Sequence, residues 1–116
     1  MKKFFKKLAG YVVTIYANRT FRKAIKEADA VHEQLKERIY VVSSMTDISQ
    51  LVILNRKKFR LMKRALNLKD HNIDKLAEGA WYYTPDRSGN GGLTEKQLEV
   101  RRLAFIRHML VRAKLN

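Results

Sequence analysis

The chain has no cysteine and only one proline in its 116 residues. Without cysteine, disulfides and thiolate metal sites are excluded. The three histidines, His32, His71 and His108, stand 37 or more positions apart. None belongs to a ligand pair such as HxxxH, so no metal or cofactor is expected and the histidines read as surface or structural residues. Long apolar runs are scarce as well. The longest, residues 8–17 (LAGYVVTIYA), covers ten positions, too few to cross a bilayer as a helix. With basic residues 1–7 it imitates the first two regions of a signal peptide. A clean small-x-small cleavage site is lacking, so export is not expected.

Acid is the scarcest charge. Eleven Asp and Glu face 25 Lys and Arg, for a formal charge of +14. All eleven carboxylates fall within residues 27–47 and 70–99. Three acid-free blocks result, with eight basic residues in 1–26, seven in 48–69 and five in 100–116. This exceeds what solubility asks of a small domain, and the sequence pI of about 10.3 points to a polyanionic partner. Apolar content of 46% is that of a folded protein. The size suits a single domain over 1–116 with a modest core. Within it, residues 1–37 read as a helical arm and 38–116 as an α+β core.

Along the chain, Phe4, Phe5, Leu8, Val12, Ile15 and Tyr16 recur at helical spacing opposite Lys3, Lys6 and Lys7. Phe21, Ala24, Ile25, Ala28, Val31 and Leu35 continue that period. One long helix is expected, with a candidate break at Asn18. Folding of its apolar stripe onto the protein's own core is the first reading. Residues 38–44 (RIYVVSS) and 51–54 (LVIL) are rich in β-formers and read as a hairpin. A rival remains open, because Ile48, Val52, Phe59, Met62 and Leu66 also fit a helical stripe. Asn55 then caps a helix over 56–67. A short acidic helix follows at 73–78, ended by Gly79. Residues 80–84 (AWYYT) are extended or irregular, with Trp81 expected to be buried. The glycine-rich loop 86–92 (DRSGNGG) has the composition of a flexible connector. Thr94 and Gln97 form a capping box for the last helix. Leu103, Ile106 and Leu110, flanked by Leu98, Phe105 and Met109, are its expected buried face. The fold class is helix-dominated α+β.

The leading candidate site is the cluster Arg56, Lys57, Lys58, Arg60, Lys63 and Arg64. On a helix, Arg56/Arg60 and Arg60/Arg64 repel at i,i+4. A phosphate backbone relieves that repulsion and gains from counterion release. Two secondary basic patches flank it. One is Lys2, Lys3, Lys6 and Lys7, which alternatively suits a membrane surface or a partner's groove. The other is Arg101 and Arg112, which share a helix face with His108; Arg112 and Lys114 also suit a helix C-terminus. No nucleophile, base and acid stand at a recognisable spacing, so no enzyme is expected.

Three stretches carry a resemblance: RIYVV from Arg38, QLVILNRKKFRLMKR from Gln50 and AWYYTPDRSGNGGLT from Ala80. Over roughly residues 38–95 the chain resembles small basic uncharacterised proteins of crAss-like tailed bacteriophages. The resemblance implies an accessory or virion protein working near packaged DNA, acidic capsid surfaces or the portal. It transfers no site residues. The expectation is a non-enzymatic assembly component, in a virion or the host cytoplasm. It would contact neighbouring structural proteins and nucleic-acid phosphates without reading sequence. The alternatives are a protein-docking adaptor whose basic blocks match acidic partners, or a peripheral membrane protein through residues 1–17.

Overall fold

The computed structural model describes residues 2–44, 47, 50–65 and 72–114. The ends of the rival helical stripe, Ile48 and Leu66, lie outside the described residues, as do His71 and the Lys2 side chain.

Helix α1 (Lys2–Leu35) is unbroken over 34 residues. At 1.5 Å per residue it is about 51 Å long and sets the 52 Å long axis of the molecule. Asn18 does not interrupt it, because its side chain is engaged elsewhere: Arg102 Nη1 donates to Asn18 Oδ1 at 2.6 Å. The Thr14 hydroxyl donates back to the Gly10 carbonyl at 2.8 Å, which satisfies it within the helix. At the C-terminal end, Lys36 turns left-handed with φ 53° while its N–H still reaches the His32 carbonyl at 2.7 Å.

Strands β1 (Tyr40–Ser43) and β2 (Leu51–Leu54) form the expected hairpin, with Tyr40 opposite Leu54 and Ser43 opposite Leu51. Helix α2 (Arg56–Ala65) follows, then α3 (Ile73–Gly79). The segment after α3 contributes a two-residue strand, β3 (Tyr82–Tyr83), on the other side of β1. The sheet is antiparallel in the order β2-β1-β3. Helix α4 (Glu95–Arg112) closes the fold behind its capping box: Thr94 Oγ1 accepts from the Gln97 N–H at 3.1 Å, and Gln97 Oε1 accepts from the Thr94 N–H at 3.0 Å.

The buried face of α1 is not the one its large residues suggest. Leu8, Val12, Ile15 and Tyr16 are exposed, as is Phe5. The packed seam is instead Gly10, Thr14, Ala17, Phe21, Ala24, Ala28 and Val31, all buried or half-buried. Their alternating spacing of four and three is a helix-packing stripe. Small side chains along it let α1 lie close to its neighbours, and a Cβ on Gly10 would just touch Leu110 of α4, at 4.0 Å. One cluster joins Ala17 and Phe21 to Phe105, Ile106 and Met109. A second joins Ala24 and Ala28 to Ile39 and Val41. Since α1 supplies both, its stretch from Val13 to Val31 is an integral layer of the core. On α4 the buried face is narrower than expected, because Leu103 points outward and is 53% exposed. Leu35, last of the α1 period, is exposed too.

Trp81 and Leu51 border both clusters. The indole packs edge-on against Phe105, with ring centroids 5.2 Å apart, and donates to Ser43 Oγ at 2.9 Å. Behind β3, Thr84 is fully buried and ties three segments together. Its hydroxyl oxygen accepts from the Ile39 N–H at 2.9 Å and lies 3.2 Å from His32 Nδ1, and its proton goes to the Pro85 carbonyl at 3.1 Å. His32 Nδ1 also lies 2.7 Å from the Glu37 carbonyl. A carbonyl only accepts, so that nitrogen carries the proton. Thr84→Val keeps the shape and strands the buried Ile39 N–H. It is expected to lower stability by about 1–3 kcal/mol, read as a shift of the urea midpoint at unchanged slope. A midpoint equal to wild type would show that Thr84 acts through shape alone.

Residues 86–92 form a closed turn instead of a loose connector. Asp86 accepts from the backbone N–H groups of Ser88 and Asn90 at 2.9 and 3.0 Å. Those bonds, Asn90's above all, hold its carboxyl below the usual range. Gly91, at φ 79°, is a glycine because of its left-handed backbone; a Cβ there would also displace the tip of Arg38, whose Nη2 stands 2.5 Å from that position.

Candidate nucleic-acid interface

Helix α2 forms against its own electrostatics. Arg56, Lys57 and Lys58 crowd its first turn, where the helix dipole disfavours cations, and no acid offsets them there. Two local features hold the turn in place. Asn55 Oδ1 accepts from the Lys58 N–H at 2.8 Å as an N-cap, and Phe59 is buried at 5% exposure. Half-buried Met62 extends that contact, while Leu61 is exposed.

At 3.6 residues per turn, burial of Phe59 and Met62 turns Lys57, Arg60 and Arg64 directly outward. Arg56 and Lys63 flank that row on one side, and Lys58 lies on the other side of the buried stripe. All six are exposed except Lys63, which is half-buried. Two ion pairs form among the described residues, Lys36 with Glu33 and Arg102 with Glu99, and neither involves α2. The six cations therefore stand within one short helix with no carboxylate at ion-pair distance among the described residues.

Beyond the start of α2 lies a cleft of about 440 Å³ lined by Arg38, Tyr40, Arg56, Asp86, Arg87 and Glu37 among others. It brings Arg87 and Arg38 beside Arg56, a convergence that sequence spacing does not reveal. The two acids there are already engaged. Asp86 binds its own turn, and Glu37 Oε2 accepts from Asn55 Nδ2 at 3.3 Å. Arg38 donates Nε to the Thr84 carbonyl and Nη2 to the Asn90 carbonyl, both at 3.1 Å. Arg56 and Arg87, both exposed, extend the α2 cations toward this cleft.

The secondary patches fare differently. Lys3, Lys6 and Lys7 are exposed along the first turns of α1. Arg112 is exposed at the end of α4, beside a shallow groove lined by Val12, Val13, Tyr16 and Met109. Arg101 is a structural residue. Its Nη1 donates to the Ala80 and Ala77 carbonyls, the latter at 3.3 Å, which satisfies acceptors at the C-terminal end of α3. Its guanidinium also lies 5.3 Å from the centre of the Tyr83 ring, where Arg38 stands at 5.2 Å. Arg102 is bound to Glu99, with Nε donating to Oε2 at 2.9 Å. That bond holds the Glu99 carboxyl below its usual range and raises the guanidinium. The aromatics are likewise occupied: Trp81 half-buried against both core clusters, Tyr83 under two guanidinium groups. The Tyr82 hydroxyl donates to Asp29 at 2.6 Å, and its pKa is pushed up by burial and that bond. They offer no platform for stacked bases.

Among the described residues no group of three or more His, Cys, Asp or Glu could hold a metal ion. No described helix is long and apolar enough to cross a membrane. Compared with protein-family models, curated proteins and solved structures, the chain matches none.

Proposed function

We propose that this chain is a non-enzymatic basic module that binds nucleic-acid phosphates without reading base sequence, as one component of a larger protein assembly. One observation carries the reading: the six cations of α2, without an acidic partner among the described residues, on a helix anchored mainly by Phe59. Charges gathered at that density repel one another in the free protein. A row of phosphates removes the repulsion and releases its condensed counterions. Base readout calls for a recognition helix or strand fitted to a groove with side chains aimed at base edges. A helix surfaced with Lys and Arg suits backbone contact instead. The resemblance of residues 38–95 to phage proteins supports taking the assembly to be a phage particle or its accessory machinery.

The test is a titration of two unrelated duplexes of equal length across salt concentration. The two affinities are expected to agree within a few fold. Log affinity should fall with log salt at a slope near −0.9 per phosphate neutralised, so about −4.5 to −5.4 for five or six contacts. No binding even at low salt would overturn the proposal.

A further inference from the structure

The outer face of α1 changes character along its length. Leu8, Tyr11, Val12, Ile15 and Tyr16 are between 47% and 69% exposed. At 3.6 residues per turn they share an arc of roughly 140° lying directly opposite the packed seam. No charged residue occurs from Leu8 to Asn18. One turn further on, the same arc carries Arg19, Arg22, Lys23 and Lys26, all exposed. Lys3, Lys6 and Lys7 stand on the other side of the helix at its N-terminal end. An exposed apolar strip is thus bracketed by cations, and no acid precedes Glu27.

We infer that this face docks in the plane of a lipid bilayer bearing anionic headgroups, with the strip set into the headgroup–acyl boundary and the cations on the phosphates. Nucleic acid offers nothing apolar to cover the strip, so this partner differs from the one α2 takes. A second copy is disfavoured by charge. Parallel pairing through the strip stacks Arg19, Arg22, Lys23 and Lys26 on their own copies, and antiparallel pairing sets no carboxylate opposite them, since no acid precedes Glu27. Apart from its edge at Val12 and Tyr16, which borders the shallow groove beside Arg112, the strip is a convex helix face. A bilayer interface deforms around such a face, whereas a protein partner must supply a matching furrow. At about 12 Å from Leu8 to Tyr16, the strip is a short interfacial element whose cations lie beyond its two ends along the helix, within reach of headgroup phosphates.

The test is co-flotation of the full chain with phosphatidylserine-containing vesicles, with phosphatidylcholine vesicles as the neutral control. Wild type is expected to float with the anionic vesicles only. L8E/I15E, two outward positions, should lower partitioning by on the order of a hundredfold while the thermal transition stays in place. R60Q/K63Q/R64Q should retain vesicle binding, so failure here and failure of the phosphate reading are separable. Absence of wild-type flotation overturns the inference. So does flotation kept in L8E/I15E and lost in R60Q/K63Q/R64Q, which would assign the lipid contact to α2. A wild-type dimer that L8E/I15E converts to a monomer would assign the strip to a second copy and overturn it as well.

Discussion

Replacing Phe105 with alanine is expected to remove about 3–5 kcal/mol of folding stability. The ring has no exposed surface. It lies 5.7 Å from Phe21 of α1 and 5.2 Å from Trp81, centroid to centroid, and the His108 ring stacks over it at 6.2 Å. Removing it therefore opens a cavity at the point where α1, α4 and the segment leading to β3 meet. Small seam residues such as Ala17 and Gly10 cannot move in to fill the space, so little of the loss is recovered by relaxation. Proteins of this size have only about 5–15 kcal/mol in total. A fall in Tm on the order of 10–25 °C is expected, and the variant should unfold at far lower urea. A loss below about 1 kcal/mol would mean that the cluster around Phe105 is not the organising core.

The second large effect concerns binding. R60Q/K63Q/R64Q is expected to flatten the salt dependence of duplex affinity by about 2–3 units, and to cost about 10³-fold at ~50 mM salt. Gln is as good a helix former as the residues it replaces. The substitutions also relieve the repulsion of Arg60 with Arg56 and Arg64, so Tm should hold or rise slightly. That opposite movement separates lost contact from lost fold. Unchanged slope with unchanged Tm would move the phosphate contact away from Arg60, Lys63 and Arg64, toward Arg56, Arg87 and the neighbouring cleft.

What could be read directly from the chain was local. Asn55 and Thr94 announce helix starts because their side chains bond N–H groups three residues on, and β-branched residues in 38–44 and 51–54 mark the hairpin. The packing face of α1 is legible from Phe21 to Val31 but not in its N-terminal half, where large apolar residues outweigh small ones in any hydrophobic pattern. The true seam runs through Gly10, Ala17, Ala24 and Ala28, whose value lies in close approach and not in transferred area. Leu103 was assigned inward by the same error. Arg101 looked like one basic residue among many, since its acceptors at Ala77 and Ala80 lie 24 and 21 positions away and only the fold brings them near. The α2 cluster was visible in full, but the cleft that adds Arg38 and Arg87 joins residues from three separate stretches.

The position of the single tryptophan gives the protein a built-in optical gauge. Trp81 borders both hydrophobic clusters and is pinned to Ser43, so its emission follows the integrity of the whole fold without a label. Neither the cationic row of α2 nor the outer strip of α1 is built around it. Intrinsic fluorescence that stays constant during a DNA or vesicle titration would thus certify that the partner engages a surface already formed, and a red shift would expose a partner that pries the two clusters apart.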